Sequence, residues 1–152
     1  MPQASLEHAL RTLITGLSAF AAITPAPAVR PYKLSQADFK AGTSPLGVII
    51  SSQEEEHQVS LEGLGGGVSA KASVYAVAET FEAAWSLAET IRLNGTNPGT
   101  GLAGFKGTVA GLAIQMISVD KTTKGFIAYE DGGDEGYYSV ARHLTVDFTE
   151  SN

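Results

Sequence analysis

At 152 residues and 15.8 kDa the chain is one domain by length, able to bury roughly 70% of its unfolded surface, and 43% apolar residues against 17% charged ones is too hydrophobic a balance for intrinsic disorder. It has no cysteine, which excludes disulfide scaffolds, thiolate metal sites, iron–sulfur clusters and cysteine nucleophiles. Sixteen acidic residues against ten Lys and Arg leave a net charge of −6, which argues against a protein whose main task is gripping nucleic-acid phosphate.

The first predicted element is a helix. Ser5 is a good N-cap and Glu7 falls in the first turn, where the helix dipole favours a carboxylate. Leu6, Ala9, Leu10, Leu13, Ile14 and Leu17 follow helical spacing on one face, Gly16 weakens the last turns, and Pro25 and Pro27 stop the helix. Glu7, His8 and Arg11 interrupt this Leu- and Ala-rich stretch, and no basic start precedes it. No apolar run reaches the roughly 18 residues of a membrane span, so the expectation is a soluble chain made in a cytoplasm, with no signal peptide and no membrane partner. Residues 24–45 hold Pro25, Pro27, Pro31 and Pro45. They read as an irregular, flexible connection along the surface, extended at Pro31 and Tyr32, with one helical turn at 35–40.

Strand signals begin at residue 46. Residues 46–52 predict a first strand and 57–64 a second, with Glu54, Glu55 and Glu56 as a solvated turn or strand end between them. Gly65, Gly66 and Gly67 suit a turn that needs positive φ. Residues 68–78 predict a third strand, in which Val68, Ala70, Ala72, Val74, Ala76 and Ala78 share one face and are small enough for a helix to approach closely. Thr80 then caps a second helix with a stripe of Phe81, Ala84, Trp85, Ala88 and Ile91, closed by Asn94 and Gly95. Five glycines in residues 94–108 predict a mobile loop. Residues 109–121 predict a fourth strand. Its Leu112, Ile114 and Met116 lie on one face and Ile117 and Val119 on the other, so either both faces are apolar or a bulge shifts the phase. A flexible connection at 122–135 precedes a cleanly alternating fifth strand, Gly136–Thr149. The order α-β-β-β-α-β-β predicts an α+β fold, a mostly antiparallel sheet of about five strands with two helices on one face.

Motifs for chemistry are sparse. The Phe105-Lys106-Gly107-Thr108 stretch lacks P-loop spacing, and the acidic run 130–135 lacks the alternating ligands and closing Glu of an EF-hand. His8, His57 and His143 sit on different elements with no metal-binding spacing, and no nucleophile elbow accompanies the serines. The sequon at Asn94 has no secretory context, and Trp85 and Phe81 read as core. The expectation is a protein that is not an enzyme and has no catalytic residue, cofactor or metal. One feature points outward. With one sheet face taken by helices, Tyr75, Val77, Ile117, Val119 and Tyr137 fall on the other, where an isolated domain would place polar residues. Either another subunit or the 24–45 segment covers them.

The element order and three stretches resemble the tail terminator proteins of long-tailed bacteriophages, also called tail completion or tail-to-head joining proteins. The stretches are the opening helix Leu6-Glu7-His8-Ala9-Leu10-Arg11, the strand-to-helix block Ala72-Ser73-Val74-Tyr75-Ala76 with Thr80-Phe81-Glu82-Ala83-Ala84, and the ending, an acidic-glycine turn at 131–136 followed by Tyr137-Tyr138-Ser139-Val140 and Leu144-Thr145-Val146-Asp147-Phe148. The resemblance spans nearly the whole chain, read as a single domain over 1–152, and rests on packing patterns. The glycine-rich 94–108 loop and the proline-rich 22–45 segment depart from the family pattern and are compatible with a related neck or tail subfamily.

The resemblance implies a structural virion protein assembled in the host cytoplasm. It would form a ring, typically hexameric, at the head-proximal end of the tail. The ring caps the tail tube, ends tube polymerisation and joins the tail to the head connector or neck protein, with subunits meeting through sheet edges and loops. DNA would pass through the lumen without specific binding, eased by negative charge that repels phosphate. Within that frame Tyr75, Val77, Ile117, Val119 and Tyr137 are the expected subunit interface. Asn94, Gly99, Phe105, Lys106, Glu130, Asp131 and Asp134 are expected on loops that contact the tube or connector. The alternatives are another neck or tail component of the same fold, such as a tube-like or connector subunit, and a small-molecule-binding α+β domain, which would need a concave pocket with converging polar groups.

Overall fold

A computed structural model describes residues 5–23, 27–32, 47–57, 67–94, 101–128 and 136–149, with backbone alone at 53–57 and 127–128. Ser5 caps α1 (Leu6–Gly16), its side chain accepting from the His8 N–H at 3.2 Å, and Glu7 lies in the first turn. Leu17 is extended and breaks the helix before the single turn of α2 (Ser18–Ala21). Thr80 caps α3 (Phe81–Leu93) by accepting from the Ala83 N–H, also at 3.2 Å. Asn94 ends α3 in the left-handed conformation, φ 54°, and its side-chain oxygen accepts from the Ala19 N–H at 2.9 Å. That bond ties α2 to the end of α3.

The sheet contains β1 (Ala28–Pro31), β2 (Gly47–His57), β3 (Gly67–Ala78), β4 (Gly107–Val109), β5 (Leu112–Ala128) and β6 (Gly136–Thr149), in the order β1-β2-β3-β6-β5-β4. Among the described residues only the β1–β2 pair is parallel. The α+β class stands, but the sheet is mixed and six-stranded with three helices, against an expectation of about five strands and two helices. Two strands are unexpected: β1, which comes from the proline-rich segment, and β4, which a turn at Ala110 and Gly111, both with positive φ, separates from β5, so that the predicted fourth strand 109–121 is broken at its start. Pro31 is tolerated in β1 because that is an edge strand whose outer N–H groups need no partner. The acidic triplet does not separate two strands: Glu54, Glu55 and Glu56 continue β2 and pair with Lys71, Ala70 and Ser69. The remainder of the predicted second strand, 58–64, lies outside the described residues, as do the turn at 35–40 and Gly95.

The core lies between one sheet face and the helices. Leu10 and Ile14 of α1, Leu87 and Ile91 of α3, and Ile50, Val74 and Leu144 of the sheet are buried together. Each large aliphatic side chain there contributes roughly 1.5–3 kcal/mol of burial. The small face of β3 (Ala70, Ala72, Ala76, Ala78) is buried as the sequence predicts, and α3 packs over β3 and β6.

Parts of two expected flexible segments, 101–108 and 122–128, are structured. Residues 101–106 dock on the fold. The Leu102 N–H donates to Ile91 O at 3.0 Å and the Gly104 N–H to Ile117 O at 2.8 Å, and Leu102 is buried. Residues 95–100 lie outside the described residues. Residues 122–128 of the expected connection instead belong to β5 and pair with β6, and 129–135 lie outside the described residues. The phase change in β5 is a bulge, and there are two. The register slips between Ile114 and Met116 and again between Val119 and Lys121. Each slip inserts one residue, so Leu112, Ile114, Ile117 and Val119 all turn toward the core while Met116 is exposed. The two inserted residues, Gln115 and Asp120, each bond a threonine of β6, Thr149 and Thr145 respectively.

Candidate self-association surface

The sheet face opposite the helices carries a short apolar cluster and a polar field. In the cluster, Val77 is 1% exposed and is packed by Ala28, Ile49, Tyr75 and Tyr137, all half-buried. It forms because Ile49 pairs with Tyr75, and Gly47 with Val77, across β2 and β3. Three of the five expected interface residues, Tyr75, Val77 and Tyr137, therefore come together. Ile117 and Val119 do not. The first bulge turns both to the helix side, where Ile117 is fully buried and Val119 packs against the core. They cannot contact a neighbour across the outer face.

Toward the other end of the same face, side chains form two rows across β3, β6 and β5. Ser73 Oγ lies 2.8 Å from His143 Nδ1, and His143 Nε2 lies 2.8 Å from Thr123 Oγ1. Burial and the nearby Lys121 charge push the His143 imidazole down from its ordinary value, so it is held neutral. In the next row Lys71 donates to Thr145 at 2.7 Å, and Thr145 donates to Asp120, which also pairs with Lys71 at 3.7 Å. The Thr145 hydroxyl is the main influence holding the Asp120 carboxyl below the usual carboxylate range. Both rows are closed hydrogen-bond sets that stiffen the sheet.

The helix side of the β5–β6 arm carries an aromatic strip; of the two aromatics the sequence reading places in the core, Phe81 packs against it and Trp85 is instead exposed. Trp85 is 37% exposed and Phe126 is 46% exposed. Phe81 stacks on Trp85 at 6.2 Å and meets Tyr138 edge-on, and Tyr138 packs on Phe126 at 4.9 Å between centroids. Lys124 lies 5.0 Å from the Trp85 ring centre and the Arg142 guanidinium 4.9 Å. The buried stripe of α3 runs through Ala84, Leu87, Ala88 and Ile91, which leaves Trp85 on its shoulder. Beneath it Arg142 is 5% exposed and donates to Glu89, which also receives Arg92 at 2.8 Å. The hydrogen bond from Arg92 and then the Arg142 charge outweigh burial and hold the Glu89 carboxyl low.

The expected loop contacts scatter. Asn94 is occupied in the helix cap, Phe105 is half-buried against the core, and Lys106 is exposed. Gly99, Glu130, Asp131 and Asp134 lie outside the described residues. Phe105 is thus a packing residue: its carbonyl accepts from the Ile117 N–H at 3.2 Å. Among the described residues no group of three or more His, Asp or Glu is placed to hold a metal ion, and no helix is long and apolar enough to cross a membrane. An open cleft of about 580 Å³ between α1 and β1 is lined by Glu7, His8, Arg11, Arg30 and Tyr32. Burial would raise the Glu7 carboxyl, but hydrogen bonds from Ser52 and Tyr32 lower it on balance, so this carboxylate is ionised and already engaged.

No protein-family model matches this chain, and a search of curated proteins finds no match.

Proposed function

We propose that this chain is a non-enzymatic structural subunit of a bacteriophage tail. In this reading it closes into a ring, six-membered by the resemblance, that caps the tail tube, ends its polymerisation and joins it to the head connector. The observation that carries the reading is the outer-face cluster around Val77. A domain working alone gains nothing from leaving Ile49, Tyr75 and Tyr137 half-covered on the sheet face that its helices do not use. A neighbouring copy would complete their burial. A cyclic ring uses a heterologous interface that closes on itself, so the cluster needs to meet a different patch on the next subunit. The net charge of −6 suits a lumen through which DNA slides.

Light scattering and negative-stain imaging of the purified protein, alone and with tail tubes, test the reading. The expected species is a ring of six 15.8 kDa chains, about 95 kDa, formed either free or on tube ends. A protein that stays monomeric in both settings and leaves tube ends bare overturns it.

A further inference from the structure

Resting on the ring reading, we propose which edges join: the outer edge of β5 over residues 119–128 pairs with the outer edge of β2 over residues 53–57 of a neighbouring copy. Both runs are open among the described residues. β4 covers only Leu112–Ile114 of the seventeen-residue β5, and the docked 101–106 segment reaches only Ile117. Beyond it β6 is the one strand that pairs with β5 among the described residues. At the other side of the sheet β1 covers Gly47 to Ile50 of β2, and residues 53–57 pair with β3 alone. An unfilled row of N–H and C=O groups is a template for another strand.

Charge selects which strand. The β2 run holds Glu54, Glu55 and Glu56 and no lysine or arginine. The β5 run holds Lys121 and Lys124, and its one acid, Asp120, is engaged by Thr145 and Lys71 of its own chain. Two β5 edges would set lysines against lysines, and two β2 edges glutamates against glutamates. Like charges opposite one another in a sheet are destabilising and opposite charges favourable. Each edge therefore rejects its own kind and accepts the other, which makes the joint heterologous, as a ring requires.

The geometry agrees. Within one chain β5 runs antiparallel to β2, and rotation about an axis along the strands preserves that sense. The two open runs sit at different heights: Glu54 stands opposite Lys71 of β3, whereas Thr123 stands, through Ala141, opposite Tyr75 on the same sheet face. The offset is four residues along β3, about 14 Å, across one repeat of four strands, from β2 to the β2 of the next copy, about 19 Å. Bringing the runs level tilts the strands by about 35°, at the lower end of the 35–45° typical of closed sheets.

The test swaps charges. The triple substitution Glu54→Lys, Glu55→Lys, Glu56→Lys, and separately Lys121→Glu with Lys124→Glu, are each expected to lower the assembled fraction about tenfold or more. Combining all five in one chain restores it. Because the chain has no cysteine, Thr123→Cys with Glu54→Cys in the otherwise native chain is expected to give, on oxidation, a covalent ladder of linked subunits. Assays run with and without tail tubes. Rings that persist through both charge variants and yield no ladder overturn the edge assignment and leave the ring reading standing. A wild-type chain that forms no ring in either setting overturns both.

Discussion

Gly101 has no room for a side chain. A Cβ built there would lie 2.3 Å from the Arg92 carbonyl oxygen, 2.6 Å from its carbon and 2.8 Å from the Asn94 nitrogen, all backbone atoms that cannot swing aside. The glycine lets the 101–106 segment lie directly against the last turn of α3, where Leu102 and Ala103 donate to Ile91 and Arg92. Gly101→Ala is expected to cost about 2–3 kcal/mol by overpacking, measured by denaturant unfolding. Gly104→Ala, with nothing within 4 Å of its added carbon but φ +78°, is expected to cost about 1 kcal/mol from backbone strain alone. At this scale the sequence is ambiguous: a glycine that permits mobility and one that permits close contact are the same letter. A run of five glycines therefore read as a loose loop where, at 101–106, the backbone is pinned.

Elements were legible wherever local chemistry and periodicity agreed. Ser5 and Thr80 predict the starts of α1 and α3, β6 occupies the predicted span, and the small face of β3 is the buried one. Legibility failed where a strand changes phase. The alternation in β5 restarts at Gln115 and at Asp120, so a single frame assigns Ile117 and Val119 to the wrong face. It also failed where a strand is fixed by its neighbour: β1 has no alternation of its own and exists because β2 lies beside it. The candidate surface was half legible for the same reason, since residues on β3 and β6 were placed correctly and those on β5 were not. The junction of α3 with the arm hangs on Glu89, which holds the buried Arg142 guanidinium, and Arg142 Nε already has no partner among the described residues. Glu89→Gln is expected to destabilise the fold by about 2 kcal/mol, the cost of a buried cation left uncompensated, reduced because Glu89 is partly exposed. Replacing both Glu89 and Arg142 with Leu is expected to cost less than Glu89→Gln alone, as thermal melts of the two variants would show.

For the molecule as a whole, its ionised groups favour neutral pH. His143 is pushed below its ordinary 6.5, so the unfolded chain takes up that proton first as pH falls. Its contribution is complete above about 6.5 and is lost as pH drops through the folded value. Glu7 and Glu89 are held below 4.5, and their contribution is present above that value and disappears on further acidification. Melting temperature is expected to decline first as pH falls below about 6.5 and again below about 4.5. His143→Gln is expected to flatten the first decline and leave the second. The two slips in β5 are slack stored in the strand. Gln115 and Asp120 have no register partner on β6, and the residues flanking each, Ile114 with Met116 and Val119 with Lys121, already stand opposite consecutive residues of β6. Loss of either closes its slip and leaves Thr122, Lys124 and Phe126 on the side they now occupy, at the cost of one side-chain bond to Thr149 or Thr145. Shortening of this strand is thus tolerated at those two points, as a rope sheds a spare loop without moving its ends.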